Sequence, residues 1–295
     1  MLTRRLGRTG HESSIAILGG AAFARCTPDE AAAGWEAAMA AGVNHLDIAP
    51  QYGEAQRNVG PLLRRPGVRD RTFVACKTLR KNADGVRAQL EESLTLLGCE
   101  RFDLYQLHAV TDLDELDARR DAADAIIRAR DEGLTRFVGI TGHNLTTPAA
   151  QAEALRRYDL DTVMFPVYPR VWADPDYRRD AEALLQLAAD RDVGVMAIKA
   201  GAARPWPTDG DGDGHRFATT WYEPQTTAAG IDTGVGFALS TEGVHAFCTP
   251  GDLAVLRLAL DAANRFEPMD DGERTQAMAA AVATGDDVIF PIPTA

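Results

Sequence analysis

Lysines, paired cysteines and long apolar runs are all scarce in this 295-residue sequence. No stretch approaches the roughly 18 apolar residues of a membrane-spanning helix, and the N-terminus MLTRRLGRTGHESS leads into only a short apolar patch, so no membrane segment or secretory signal is expected. The four cysteines are widely spaced and form no CxxC pair, which is typical of reduced, mostly buried thiols. We therefore expect a cytoplasmic protein.

Basic residues are also fewer than acidic residues. The chain has 31 Lys and Arg against 43 Asp and Glu, a formal net charge of −12, so no nucleic-acid partner is expected, because neutralising phosphates requires clustered basic side chains. Only Lys77, Lys81 and Lys199 are lysines, and the other basic residues are arginines. Since the pKa of lysine moves readily and that of arginine does not, a retained lysine is a candidate for a chemical role. Chance retention is the alternative, above all for Lys81.

Short apolar runs alternate with longer amphipathic segments along the chain. The predicted strands are 15–19, 43–47, 72–77, 102–108, 136–141, 161–167, 193–199 and 244–248. The predicted helices are 27–42, 84–98, 114–132, 147–157, 176–191 and 252–265. This alternation favours a (β/α)8 TIM barrel. A doubly wound sheet is the alternative, but the first strand is not followed by GxGxxG.

We expect the whole chain, 1–295, to form one barrel domain. Three of its segments lie outside the repeat of strands and helices. LTRRLGRTGHES predicts a small N-terminal β-hairpin, 201–230 a long loop after the seventh strand, and 268–295 a C-terminal extension that adds a helix. The run Asp209–Gly214 imitates half of a calcium loop but lacks the carboxylate required at the twelfth position. We expect a solvated acidic loop there and no metal site.

Four polar residues follow successive predicted strands, at the end of a parallel barrel where chemistry takes place. Asp47 and Tyr52 follow the second strand, Lys77 ends the third and His108 ends the fourth. A nearby ammonium stabilises a phenolate, a carboxylate holds that ammonium, and a neutral histidine can donate a hydrogen bond to a carbonyl oxygen. Together they suit proton delivery to an oxygen while hydride reaches the attached carbon, although each residue alone also has a structural explanation.

The segments around these residues resemble the aldo-keto reductase family. GVNHLDIAPQYG, FVACK and DLYQLH are similar to the family's aspartate-to-tyrosine, lysine and histidine segments, in the same order along the chain. The resemblance implies a (β/α)8 barrel that reduces an aldehyde or ketone, a small-molecule carbonyl substrate, with NADPH or alternatively NADH. It also implies that Asp47, Tyr52, Lys77 and His108 are the catalytic tetrad, with Tyr52 as the general acid.

The turn after the fifth strand departs from the best-known members of that family. Their usual Ser-Asn pair, which holds the nicotinamide carboxamide, is Thr141-Gly142 here. GITGHN instead resembles a bacterial subgroup with a Gly-His step, which makes His143 and Asn144 candidates for that contact. A simple turn is the alternative for both residues.

The resemblance also suggests coenzyme contacts after the seventh and eighth strands. Lys199 would contact a coenzyme phosphate or the substrate, or else extend into solvent. Gly251 stands where the family usually has a basic residue, and Asp252 would repel a 2′-phosphate. Arg257 matches a second phosphate-binding arginine, so NADPH is favoured over NADH; a solvated helix residue is the alternative for Arg257.

Aromatic residues in the loops are the candidates for a substrate pocket, as in carbonyl reductases, although they could equally pack the long loop onto the barrel. These candidates are Phe23, Trp172, Trp206, Trp221 and the adjacent Tyr222. Loop arginines that could meet an anionic substrate are Arg25, Arg170 and Arg204. The substrate and the oligomeric state are left open by the sequence.

Two other classes of protein compete with this interpretation. The first is a metal-dependent barrel hydrolase that would use His45, Asp47, His108 and His143 as ligands. The second is a non-catalytic, nucleotide-sensing or regulatory protein that keeps the barrel.

Overall fold

Eight parallel strands form a closed barrel in the computed structural model, which describes residues 1–207, 217 and 219–291. The strands are β1 Thr3–Arg5, β2 Glu12–Ser14, β3 Ala16–Gly19, β4 His45–Asp47, β5 Phe73–Thr78, β6 Phe102–Leu107, β7 Thr135–Thr141, β8 Thr162–Pro166, β9 Gly194–Ile198, β10 Ala202–Arg204, β11 Glu223–Pro224 and β12 Ala246–Cys248. Strands β3 to β9 pair in chain order, and β12 closes the ring between β9 and β3. The predicted TIM barrel and all eight of its strands are confirmed, and the doubly wound alternative is wrong because the sheet closes on itself.

Helices surround the barrel. They are α1 Pro28–Ala40, α2 Ala55–Leu63, α3 Ala83–Leu97, α4 Leu113–Ala118, α5 Arg120–Asp131, α6 Thr147–Arg157, α7 Pro169–Trp172, α8 Pro175–Asp190, α9 Ala228–Leu239, α10 Leu253–Asn264 and α11 Asp271–Ala283. Among these described helices, none is long and apolar enough to cross a membrane.

Local signals explain which helices the sequence predicted and which it did not. Helix α1 begins with a capping box between Thr27 and Glu30, and α3 ends at Gly98, whose φ of 68° suits glycine. Helix α2 was missed because it is short, contains Pro61 and has no side-chain cap at its start. The predicted helix 114–132 is divided into α4 and α5 at Arg119.

The N-terminal hairpin closes the bottom of the barrel. Strands β1 and β2 pair antiparallel, as predicted, and the buried Leu6 between them packs with the apolar side chains of the barrel interior. Gly7, at a φ of 48°, lies so close to the strand opposite that an added Cβ would be 2.3 Å from the backbone nitrogen of Gly194. Arg8 fixes the hairpin from outside through an ion pair of 2.8 Å with Asp161. Since this end is plugged, the barrel opens to a cavity at the opposite end, where the strands terminate.

The segment predicted as a long loop, 201–230, contains regular structure. Strands β10 and β11 pair antiparallel, Arg204 and Glu223 form an ion pair of 2.7 Å between them, and α9 begins inside the segment. The pairing brings the residues just before β11 across the mouth of the barrel. The run Asp209–Gly214 lies outside the described residues. The C-terminal extension supplies α11, which packs against α7 and α9.

Candidate active site

A cavity of about 50 Å³ lies at the carboxyl end of the barrel strands. Residues from seven of the eight barrel strands, or from the loops that follow them, line it, among them Asp47, Tyr52, Lys77, His143, Lys199 and Trp221. Typical ligand pockets measure about 300–1,000 Å³, so a ligand of that class fits here only if part of the wall moves.

Three of the four predicted catalytic residues form one contiguous group. Lys77, at the end of β5, donates its Nζ to the Asp47 carboxylate at the end of the neighbouring strand β4. The same Nζ donates to the hydroxyl of Tyr52 at 3.4 Å. All three side chains are buried, with Lys77 only 1% exposed. The parallel pairing of β4 with β5 produces this arrangement, because it places Asp47 beside Ala75, and Lys77, two residues further along β5, faces the same side of the sheet.

The electrostatics of this group favour a charged lysine and a neutral tyrosine. Burial alone would lower the pKa of Lys77, but the Asp47 carboxylate and the Tyr52 oxygen raise it above its usual value. Burial raises the pKa of Tyr52 to about 12, while the Lys77 ammonium opposes that change. The Tyr52 hydroxyl therefore carries its proton at neutral pH, which is the form that a proton donor requires.

His108 lies beside the tyrosine. Its ring meets that of Tyr52 edge-on, with centroids 5.9 Å apart, and its Nδ1 is 3.3 Å from the side-chain oxygen of Gln51. Burial, followed by the nearby Lys77 charge, holds the pKa of His108 well below its usual range, so the ring is neutral. Of the tetrad, His108 is the member that contacts Tyr52 without lining the described cavity.

Two further residues at the centre of the site were missed by sequence reasoning. Gln106 donates to the other oxygen of Asp47 at 3.2 Å, and the Cys248 thiol approaches the Asp47 carboxylate at 4.0 Å. Gln106 precedes His108 by two residues and so faces the same side of β6, and Cys248 ends β12. Two signals in the sequence could have identified them: Gln106 lies two residues before His108, and Cys248 stands at the carboxyl end of a barrel strand.

The turn after β7 places its four candidate residues differently. His143 lines the cavity, and in the part of the chain that the structure describes its buried Nδ1 has no hydrogen-bond partner. The Thr141 hydroxyl accepts from the Ala109 backbone at 3.1 Å, and a Cβ on Gly142 would lie 2.3 Å from the Val110 carbonyl oxygen. The Asn144 side chain accepts from the next backbone N–H at 2.8 Å, as a turn residue does.

Lys199 and Trp221 form the wall opposite Lys77. The Nζ of Lys199 lies 5.2 Å from the ring centroid of Trp221 and 4.8 Å from that of Tyr222. Trp221 also packs against Tyr52, with ring centroids 5.7 Å apart. Trp221, predicted as a pocket residue, thus takes up space directly above the tyrosine.

The turn after β12 lies at the rim. Gly251 lines the cavity, and a Cβ there would lie 3.0 Å from the carbonyl oxygen of Thr219. The next residue, Asp252, caps α10 by accepting from the Ala254 backbone at 2.8 Å, and it accepts from the Thr219 hydroxyl at 2.9 Å. Arg257 is exposed one turn further along α10, in an outer groove between α10 and α1.

Three aromatic residues predicted as pocket walls lie elsewhere. Trp172 is buried between Tyr177 and Phe237, with centroids 6.2 and 6.3 Å away, because α7 turns its ring toward the helical layer. Phe23 is fully buried near Gly34 of α1. Trp206 donates its ring N–H to the Thr220 carbonyl at 3.0 Å and so supports the loop that carries Trp221.

The predicted loop arginines are also engaged elsewhere or exposed. Arg170 donates to the Asp286 carbonyl at 2.9 Å, Arg204 pairs with Glu223, and Arg25 is exposed. None of the three is among the described residues that line the cavity.

The ligand set of a metal-dependent hydrolase is not assembled. His45 lies toward the plugged end of the barrel, where its Nδ1 is 2.9 Å from the Ser13 hydroxyl and its ring meets Phe73. Asp47 is engaged by Lys77 and Gln106 instead. Across residues 1–207, 217 and 219–291, no group of three or more His, Cys, Asp or Glu side chains is placed to hold a metal ion.

Comparison with known proteins places this site in context. The model of the Aldo/keto reductase family matches residues 16–213. The chain is similar to a D-threo-aldose 1-dehydrogenase from a Pseudomonas species, 31% identical over 206 residues that cover 59% of this chain and 60% of the relative. It is similar to an L-galactose dehydrogenase from Arabidopsis thaliana, 31% identical over 154 residues, or 47% of this chain and 48% of the relative. The matches thus span less than two thirds of these relatives.

A solved structure shows the same fold over nearly the whole chain. The aldo-keto reductase AKR11C1 from Bacillus halodurans, in its holo form, superposes with a TM-score of 0.68. The superposition covers 95% of this chain and 96% of that one, at 20% sequence identity.

Proposed function

The chain belongs to the aldo/keto reductase family, and from that premise we propose that it is an oxidoreductase that reduces an aldehyde or ketone to the alcohol with NAD(P)H. The observation that carries the proposal is the Lys77 ammonium held between the Asp47 carboxylate and the Tyr52 hydroxyl in a buried cavity. The names of the relatives, an aldose and a galactose dehydrogenase, support a small-molecule carbonyl compound as the substrate.

In this proposal, each residue of the tetrad has a distinct part in the proton transfer. Tyr52 donates its hydroxyl proton to the carbonyl oxygen, and Lys77 stabilises the phenolate that remains. Asp47 holds Lys77 in place and keeps it charged. Neutral His108 donates a hydrogen bond that orients the carbonyl group. The dihydronicotinamide ring, when bound, supplies the hydride that reaches the carbonyl carbon.

The turn after β7 fits the nicotinamide carboxamide. The His143 Nδ1 is buried, lacks a partner among the described residues and belongs to a side chain in the cavity wall, so a polar group of a ligand can satisfy it. Thr141 and Gly142 shape the turn that aims His143, while Asn144 stabilises the same turn from outside the cavity. Because the cavity measures only about 50 Å³, part of its wall has to move for the coenzyme to enter, and Trp221, which packs against Tyr52, is the part proposed to do so.

NADPH is the proposed coenzyme, with NADH as the alternative. Gly251 lets the turn after β12 approach the ligand closely, and exposed Arg257 on α10 is the cation proposed to meet the 2′-phosphate. Titration of the purified protein with each dinucleotide, followed by tryptophan fluorescence, tests this preference. Submicromolar NADPH affinity with weaker NADH affinity supports it, and tighter NADH binding contradicts it.

The Tyr52→Phe variant tests the proton donor. We expect its kcat with any carbonyl substrate to fall by at least about 10³-fold, since the only removed group is the proposed acid, while the dinucleotide Kd stays within a fewfold. Tyr158→Phe is the matched control, because Tyr158 follows α6 on the outside of the barrel. Normal turnover by Tyr52→Phe would falsify the assignment. Dinucleotide binding without turnover of any carbonyl compound by the wild type would favour a nucleotide sensor instead.

A further inference from the structure

Lys199 occupies an unusual position for a lysine. It directly follows β9, is 8% exposed and lines the cavity that contains Tyr52. Its backbone φ is 68°, in the left-handed region that residues with a Cβ rarely adopt. Such strain persists only where the surrounding structure imposes it, and it concentrates at ligand sites. Here the strained residue carries a four-carbon amine and belongs to the cavity wall.

The surroundings of this amine are suited to a cation, and the residues that the structure describes supply no counter-anion. The faces of Trp221 and Tyr222 flank the Nζ, and such faces attract an ammonium. The other two lysines each pair with a carboxylate: Lys77 with Asp47, and Lys81 with Glu115. Within the described residues Lys199 has no such pair. The neighbour that favours its charged form, and so raises its pKa, is the Cys248 thiol. Among residues 1–207, 217 and 219–291, Lys199 is therefore a buried amine without an anionic partner.

We propose that Lys199 binds a carboxylate group of the substrate, so that the preferred substrates are aldehyde acids or keto acids rather than neutral carbonyl compounds. This inference rests on the proposed function. Trp221 contacts both Lys199 and Tyr52, so the amine and the proton donor flank the same indole ring. A carbon chain of several atoms that replaces the indole between them would place its carbonyl at Tyr52 and its carboxylate at Lys199.

The charges around Lys199 predict how this recognition depends on pH. Burial lowers the pKa of Lys199 to about 7, so the amine is partly neutral at physiological pH. Burial keeps its neighbours uncharged as well: the pKa of His143 is lowered, and those of Cys248 and Tyr222 are raised. On the far wall the charge of Lys77 is matched by that of Asp47.

Carboxylate binding should therefore be linked to protonation of Lys199. A bound carboxylate raises the pKa of the amine, because it favours the charged form. Affinity for an acid substrate then weakens as pH rises above about 7, while affinity for a neutral substrate does not follow this titration.

The test compares 4-oxobutanoate with butanal, a neutral aldehyde with the same number of carbons. The readout is the ratio of the two kcat/KM values in wild type, Lys199→Met, Lys199→Arg and Lys81→Met. We expect Lys199→Met to lower the ratio by about 10- to 100-fold, the effect of losing a charge-assisted hydrogen bond. Lys199→Arg should keep most of the ratio and abolish its decline between pH 6 and 9. Lys81→Met, which alters an exposed lysine outside the cavity, should leave it unchanged.

Succinate binding separates failure of this inference from failure of the proposed function. We expect succinate to change the tryptophan fluorescence of the wild type but not of Lys199→Met, since Lys199 touches Trp221. If no carbonyl compound is reduced and succinate still binds through Lys199, the proposed reductase activity fails and the carboxylate site stands. An unchanged ratio in Lys199→Met overturns the inference. If the same variant also binds the dinucleotide more weakly while the ratio of the two kcat/KM values is unchanged, Lys199 belongs to the coenzyme site and the inference is overturned.

Discussion

Lys77 and Lys199 line the same cavity, and both are buried. They differ in the groups that contact the amine and in the direction in which its pKa is shifted. Lys77 is 1% exposed and pairs with Asp47, whereas Lys199 is 8% exposed and lies against two aromatic rings. Burial lowers the pKa of Lys199 to about 7, but at Lys77 the carboxylate outweighs burial and the pKa rises. A single carboxylate thus decides whether a buried lysine is a permanent cation or one that titrates near neutral pH.

The two lysines are consequently suited to different tasks. A permanent charge beside Tyr52 stabilises the phenolate throughout a proton transfer, so the Lys77 side of the cavity suits the chemical step. Lys199 has no anionic partner in the part of the chain that the structure describes, so an incoming anion would be its first, and the Lys199 side suits recognition. The wall that bears Trp221 joins the two, because the indole touches both Tyr52 and Lys199.

Asp47→Asn should have the largest effect on stability and turnover. It removes the carboxylate that pairs with Lys77 and so leaves this lysine, like Lys199, buried without a carboxylate partner among the described residues. Removing one partner of a buried ion pair leaves the other charge uncompensated, so we expect the free energy of unfolding to fall by about 3–5 kcal/mol. Turnover should fall by about 10²- to 10⁴-fold as the tyrosine loses its fixed ammonium. Urea unfolding and steady-state kinetics measure the two effects.

Asp192→Asn is the matched control for that change. Asp192 pairs with Arg5 at an exposed site, where both side chains are about half accessible, and its loss should cost less than about 1 kcal/mol. Equal destabilisation by the two substitutions would contradict the role assigned to the buried pair.

Chemical modification should distinguish the lysines directly. Only a neutral amine reacts with formaldehyde and cyanoborohydride, so Lys199 should be methylated more than about tenfold faster than Lys77 at pH 8. The Lys199 rate should rise with pH through about 7, because the neutral fraction grows as the pH passes the pKa. Peptide mass mapping resolves all three lysines, with exposed Lys81 as the internal reference. Equal methylation rates for Lys77 and Lys199 would contradict the prediction that the two lysines differ in pKa.

Asp252→Asn should have the smallest effect and concerns the rim of the cavity. Its carboxylate caps α10 rather than pairing with a lysine, and asparagine is an equally good cap, so stability should hardly change. Loss of the negative charge at this helix N-terminus should strengthen NADPH binding relative to NADH by about two- to fivefold. Parallel dinucleotide titrations of this variant and of Arg257→Ala measure it. A shift toward NADH in Asp252→Asn would show that the carboxylate does not face the 2′-phosphate.

Particular residues show how far sequence analysis reached into the site. Asp47, Tyr52 and Lys77 were found because strand ends of a parallel barrel converge, and the resemblance to the family put them in one site. Trp172 and Phe23 do not line the described cavity, since position in a loop does not say which way a ring faces, and both rings are buried in the core. Gln106 and Cys248 were missed, because their role comes from contacts with Asp47, which lies 59 and 201 positions away in the chain.

The eight-fold alternation of strands and helices, and the order of polar residues at the strand ends, are local properties of the chain and could be predicted from it. The contrast between the two lysines could not, because a pKa depends on which groups folding brings within a few ångströms. Lys77 meets a carboxylate 30 positions away, and Lys199 meets rings of a segment that β10 and β11 fold across the mouth. Sequence therefore predicted where the chemistry lies, while long-range packing determined which lysine keeps its proton.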